Sequence, residues 1–142
     1  MYEYICKITK VVDGDTVDVD IDLGFGVWLH KERVRIYGID TPESRTRDKD
    51  EKARGKLAAR FLKDCIAEGK EVVLQTKLKD SRGKFGRVIA TVVVDGVDIN
   101  QTMIDKHLAV AYFGQSKKDV EDEHLVNRAK LIELGMFVPA EE

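Results

Sequence analysis

An α+β fold is expected from three observations. Five stretches have strand character and are separated by turn signals, one helical stretch lies between the third and fourth, and helical stretches close the chain. With 142 residues, a single domain over 1–142 is the default. The composition, 43% hydrophobic and 35% charged, is that of a soluble globular chain with enough apolar material for a core. A formal net charge of −2 argues against a broad basic surface. It leaves room for a local basic cleft, because an electrostatic footprint depends on how charge is distributed. Cys6 and Cys65 are too few for a disulfide framework and are read as buried free thiols, and no Cys/His cluster suggests zinc. The N-terminus lacks the basic, apolar and small-residue series of a secretory signal, and no apolar run approaches a membrane span. A cytoplasmic location without a membrane partner is therefore expected.

Each element has its own signature. Residues 2–12 alternate weakly and end at Val11-Val12, a strand that turns at Asp13-Gly14. In the next strand Val17, Val19, Ile21 and Leu23 share one parity and Thr16, Asp18, Asp20 and Asp22 the other. Asp15 is in phase with the apolar set, so it points toward the core side, where a carboxylate needs a cation or donors nearby. Gly24-Phe25-Gly26 is the next turn, and Val27 to Ile39 is a third strand. Residues 44–52 are polar loop, followed by a helix to about Glu68 with Leu57, Ala58, Phe61, Leu62, Cys65 and Ile66 on one face and Gly69 at its end. Glu71 to Lys79 is a fourth strand, 80–87 a polar turn, and Val88 to Val94 a fifth strand, apolar on both parities apart from Thr91 and hence central or covered on both faces. Asp98 caps a short helix through His107, and a last helix runs from about Asp119 to Leu134 with Gly135 as its stop. Five strands with a helix after the third match the OB-fold plan, a five-stranded Greek-key β-barrel, here with about three helices.

The chemistry concentrates in Arg33 to Glu43, a strand running into a Pro turn. Pro42 cannot donate to a ladder and biases Thr41 toward an extended conformation, so the strand should stop near Asp40. Simple alternation groups Asp40 with Val34 and Ile36, and Arg35 with Arg33 and Tyr37. Arg35 and Asp40 then lie on opposite faces unless a bulge, a strong twist or the turn after Gly38 brings them together.

Four motifs occur in order: Val12-Asp13-Gly14-Asp15-Thr16, Arg35 through Asp40-Thr41-Pro42-Glu43, Lys84-Phe85-Gly86-Arg87 before a β run ending Val94-Asp95-Gly96, and Asn100 through Leu108-Ala109-Val110-Ala111-Tyr112. Together they resemble the staphylococcal nuclease, or thermonuclease, family over nearly the whole chain. The resemblance implies an OB-fold nuclease that uses one calcium ion (Ca2+) to hydrolyse DNA and RNA, cutting the bond to the 5′-oxygen and leaving 3′-phosphates. It implies metal ligation by the carboxylates of Asp15 and Asp40 and the carbonyl of Thr41. Glu43 matches the general base or water-positioning residue, and Arg35 and Arg87 match the two phosphate-binding arginines. Lys84, Phe85 and Tyr112 match substrate-binding positions. Phe85 stands where the family has a tyrosine, so it can stack but cannot donate to phosphate, and a second family tyrosine falls at Gly114. Single-stranded or loosened nucleic acid is the expected substrate, and a monomer the expected state.

The residue types suit that chemistry. Calcium takes carboxylate, carbonyl and water oxygens, and two aspartates with one carbonyl leave positions for water and phosphate. Arginine's fork matches phosphate oxygens and keeps its charge. Rival readings are a catalytically weak OB-fold module that binds nucleic acid or protein, and a calcium-linked structural domain. His30, His107 and His124 are read as structural or exposed. The basic residues between Arg45 and Arg60 fit a solvated helix face or a substrate rim equally well. Phe25 and Trp28 are assigned to hairpin packing rather than base stacking.

Overall fold

The computed structural model describes residues 1–69, 71–76 and 86–139. In chain order the elements are β1 (Tyr2–Asp13), β2 (Thr16–Gly24), β3 (Val27–Ile36), β4 (Ile39–Asp40), α1 (Lys49–Glu68), β5 (Val72–Thr76), β6 (Val88–Val94), β7 (Val97–Asp98), α2 (Ile99–Asp105), β8 (Val110–Ala111) and α3 (Lys117–Glu133). β1 pairs antiparallel with β2 on one side and β5 on the other, β2 with β3, and β5 with β6. A parallel pairing of β3 with β6, from Val34↔Val88 to Ile36↔Ala90, closes these five strands into a ring. This is the α+β, OB-type arrangement expected from the sequence. The three extra strands are two residues each, too short to show a periodicity.

Period-two patterning builds the interior. Val17, Val19 and Ile21 of β2, Val34 and Ile36 of β3, Leu74 of β5, and Val88, Ala90, Val92 and Val94 of β6 are all buried. Leu23 shares the parity of the β2 set but is exposed, because it lies at the outer end of the hairpin. α1 covers the ring with Ala58 and Leu62, both fully buried; removing a leucine side chain from water contributes about 2 kcal/mol. Cys6 and Cys65 are free thiols, and burial pushes the Cys6 thiol up to about 12.

Three helix boundaries differ from expectation. α1 begins at Lys49, inside the polar stretch assigned to loop, because the Asp48 side chain accepts from the N–H groups of Asp50 and Glu51 and caps the helix there. α2 ends at Asp105, and His107, expected to be helical, has φ +62°. α3 starts at Lys117, where the Ser116 hydroxyl accepts from Asp119 N–H. Phe25 does not pack in its hairpin. Gly24, Phe25 and Gly26 all have positive φ, and the turn leaves the Phe25 ring fully exposed. Residues 77–79 of the expected fourth strand, and most of the turn that follows, lie outside the described residues. Among the described residues, no helix is long and apolar enough to cross a membrane.

Candidate active site

One end of the ring gathers the charged residues singled out above. Asp15 immediately precedes β2, and its carbonyl accepts from Ile36 N–H at 2.8 Å, tying it to the end of β3. Arg35 sits opposite Thr16 across the β2–β3 ladder and opposite Ile89 across β3–β6. β3 ends at Ile36, Gly38 takes φ +74°, and β4 restarts at Ile39 in a separate two-stranded pairing with β8. The turn resets the alternation. Of the devices that could unite Arg35 with Asp40, it is this turn that does so, and glycine supplies the left-handed conformation cheaply. Arg35 Nη2 lies 3.5 Å from Asp15 Oδ2 and 3.6 Å from Asp40 Oδ1, a cation shared by the two carboxylates.

The buried carboxylate has its donors. Asp15 is only 8% exposed. Its Oδ1 accepts from the Thr16 hydroxyl at 3.0 Å and its Oδ2 from Thr41 N–H at 3.2 Å. Burial raises its pKa above the ordinary carboxylate value; Arg35 and the Thr41 N–H pull against that rise, while the charge of Asp40 adds to it. Glu43 is also pushed up, first by partial burial and then by the charges of Asp13, Asp15, Asp40 and Glu51. Carboxylates raising one another's affinity for protons mark a place where a further positive charge would be stabilising. Among the described residues, no three His, Cys, Asp or Glu side chains close on a common point as ready-made ligands. The donor atoms nonetheless fit a hard cation, since they are all carboxylate or backbone oxygens with room for water. The Thr41 hydroxyl is buried and makes no hydrogen bond among the described residues.

Helix α1 sets the height of the Pro42–Glu43 turn. A Cβ on Gly55 would lie 2.6 Å from the Pro42 carbonyl oxygen and 2.7 Å from the Glu43 carbonyl. Only glycine allows the helix to approach that closely. Glu43 N–H donates to Glu51 of the same helix at 3.1 Å, a second tie.

Around this centre open two clefts of about 460 Å³, both lined by Arg35, Asp40, Glu43 and Arg87. One also takes in Arg33 and Arg45. The other reaches Tyr112, Lys117 and His124. A third, more apolar cleft of about 510 Å³ lies between Ile36, Ile89, Tyr112 and Phe113, with Arg35 and Arg87 at its edge. The structure thus brings together Asp15, Arg35, Asp40, Thr41, Glu43 and Arg87, with Tyr112 at the margin. Lys84 and Phe85 lie outside the described residues.

The basic segment divides. Arg54 is buried and held by Asp50 at 2.8 Å, with Arg128 of α3 on the same carboxylate. Burial pushes Asp50 up, but these two arginines outweigh it and hold the carboxyl below its usual range. Arg54 is therefore an internal tie between α1 and α3. Arg45 is the member of the segment that lines the central cleft, and Lys49, Lys52, Lys56 and Arg60 are exposed.

Two residues were missed. Phe113, the last residue of the apolar run Leu108 to Phe113, is 79% exposed beside Tyr112. His124, read as structural or exposed, places Nε2 2.7 Å from Asp40 Oδ2. The signal was available: Val120, His124, Asn127 and Leu131 recur at i, i+4, i+7 and i+11, so His124 lies on the inward stripe of α3.

Comparison with known proteins points the same way. The family model described as staphylococcal nuclease homologue matches residues 33–136, which includes Arg35, Asp40, Glu43 and Arg87 and begins after Asp15. The chain is 34% identical over 106 residues to endonuclease YncB of Bacillus subtilis, covering 74% of this chain and 47% of that protein. It is 30% identical over 124 residues to the SPbeta prophage-derived endonuclease YokF of the same organism, covering 81% and 40%. A thermonuclease of Staphylococcus intermedius is 31% identical over 106 residues, covering 75% and 58%. The chain spans about half the length of these curated relatives. It belongs to the family of staphylococcal nuclease homologues.

Proposed function

We infer that the protein is a calcium-dependent nuclease that hydrolyses phosphodiester bonds in DNA and RNA, single-stranded or loosened, and leaves 3′-phosphates. The observation that carries this reading is the meeting of Asp15, Asp40 and Glu43 with Arg35 and Arg87 at one open end of the ring. The family membership and the endonuclease and thermonuclease relatives support the same reaction class.

Asp15, Asp40 and the Thr41 carbonyl would hold the cation. When bound, calcium neutralises phosphate charge and polarises the scissile phosphodiester. Glu43 orients a water for attack on phosphorus and takes its proton; its raised proton affinity suits that task better than an ordinary carboxylate. The bond from phosphorus to the 5′-oxygen breaks, that oxygen takes a proton from solvent, and the phosphate stays on the 3′-oxygen. Arg35 and Arg87 offset the charge that grows on the phosphoryl oxygens, a contribution worth on the order of 10²-fold or more in rate for each such donor. Tyr112 and the apolar cleft beside it receive the neighbouring base.

Denatured DNA incubated with calcium, and then with a chelator, tests the reading; magnesium and manganese arms test the choice of metal. Calcium-dependent cleavage that stops on chelation, with 3′-phosphate ends, is expected. Folded protein that binds single-stranded DNA without cutting it under any of these metals would point instead to a non-catalytic binding module of the same fold.

A further inference from the structure

We propose that His124 is a positioning residue for Asp40, holding one oxygen of that carboxylate so that the other is free to face Asp15 and the cation. The inference rests on the calcium-dependent reading above and assigns a role to a residue on α3, an element that supplies none of the expected ligands.

The two oxygens of Asp40 are treated differently. Oδ2 lies 2.7 Å from His124 Nε2, a short hydrogen bond in which the ring N–H donates to a carboxylate. Among the described residues, the partner of Oδ1 is Arg35 Nη2, at 3.6 Å. Packing alone does not hold this side chain, which is 29% exposed on a two-residue strand. Its rotation is therefore set by polar contacts, and the shortest of them comes from His124. A carboxylate that binds a cation through one oxygen needs the other occupied, or it turns away or chelates differently. Outer contacts of this kind orient metal ligands throughout metalloproteins.

His124 is itself firmly presented. Its side chain is 12% exposed. On the same helix Asn127 Nδ2 donates to the Ala109 carbonyl at 3.1 Å, and Arg128 Nε to Asp50 at 3.0 Å, so α3 is docked one turn further along. His124 Nδ1 is buried and makes no hydrogen bond among the described residues. An imidazole enclosed with one nitrogen unpaired is a costly way to fill space between Val120 and Leu131, where an apolar side chain would do better. The contact with Asp40 is what the ring contributes in return.

Calcium titration calorimetry on the intact chain separates positioning from mere docking. His124→Ala is expected to weaken calcium binding by about 10–100-fold, the usual effect of removing an outer contact to a ligand. His124→Gln, which keeps an N–H donor, is expected to recover part of that loss. Asn127→Ala removes a helix-docking bond without touching Asp40, and should lower the melting temperature while leaving calcium affinity unchanged. Wild-type affinity in folded His124→Ala would overturn the proposal. So would an equal loss of affinity in Asn127→Ala, which would assign the effect to helix docking. If the folded wild-type protein takes up no calcium at all, both the functional reading and this proposal fall. If it binds and His124→Ala binds as well, only this proposal does.

Discussion

The interior of the strand ring and its charged end are made by the same strands and obey opposite rules. Val17 and Val19 of β2, and Val34 and Ile36 of β3, are fully buried and apolar. The charged residues lie beside these sets. Asp15 continues the inward parity of β2, and Arg35 lies between the two buried β3 residues but on the other face. Apolar burial stabilises the ring without specifying chemistry. The end of the ring places carboxylates where burial and mutual repulsion raise their proton affinity, a local cost that Arg35 and the Thr41 N–H offset in part and a bound cation would offset further. The difference teaches that the sheet provides rigidity and the turns at its rim provide the reactive groups, so stability and activity should separate by mutation.

The largest effect should come from the core. Leu62→Ala removes a fully buried side chain of α1 and is expected to cost about 2–5 kcal/mol in denaturant unfolding. Turnover per folded molecule should persist below the lowered transition. Activity lost ahead of folding would blur the distinction.

Gly55→Ala probes the seam between the regions. In an ordinary helix this change stabilises by about 1 kcal/mol. Here the new methyl meets the Pro42 and Glu43 backbone, so a destabilisation of about 1–3 kcal/mol is expected, with a fall in kcat because Glu43 is displaced. A more stable, fully active variant would show that α1 does not set the position of Glu43.

A smaller change is expected at the substrate margin. Phe113→Ala should raise KM for single-stranded DNA about 5-fold, equivalent to about 1 kcal/mol, the low end for losing one stacked base, while kcat and unfolding stay near wild type. Phe113 is exposed, so an unchanged KM would remove it from the binding face.

The gentlest test is a slope. Asp15 and Glu43 have raised pKa values in the folded protein. Above the ordinary carboxylate value the folded state therefore binds more protons than the unfolded state, and stability without calcium should fall as pH rises from that value through the raised ones. Below that window the cost is absent. Asp15→Asn should flatten this dependence, measured by unfolding at several pH values in chelator. A wild-type slope in the variant would mean that Asp15 is not the strained group.

Much of this contrast was legible in the sequence, because period-two patterning is a strong signal. It placed the buried face of β2, the core-side position of Asp15 and the central position of β6, and the Asp98 cap and the Gly135 stop were read from single residues. What it could not convey was where short turns redirect the chain. β4, β7 and β8 carry no period, and the alternation that sent Arg35 and Asp40 apart fails at Gly38, where the strand breaks and restarts. Asp48 hid the start of α1, since a capping aspartate inside a polar stretch looks like any loop residue. His124 carries no signal as an isolated histidine; its inward position shows only on the face it shares with Val120 and Leu131.

The most direct test of the central claim is the cleavage rate of Glu43→Gln against wild type on a labelled single-stranded oligonucleotide at saturating calcium, with both proteins shown to be folded. The account predicts a fall in kcat on the order of 10²-fold, calcium affinity largely retained, and an unfolding transition at least as stable as wild type. Cleavage at the wild-type rate by the folded variant would contradict it.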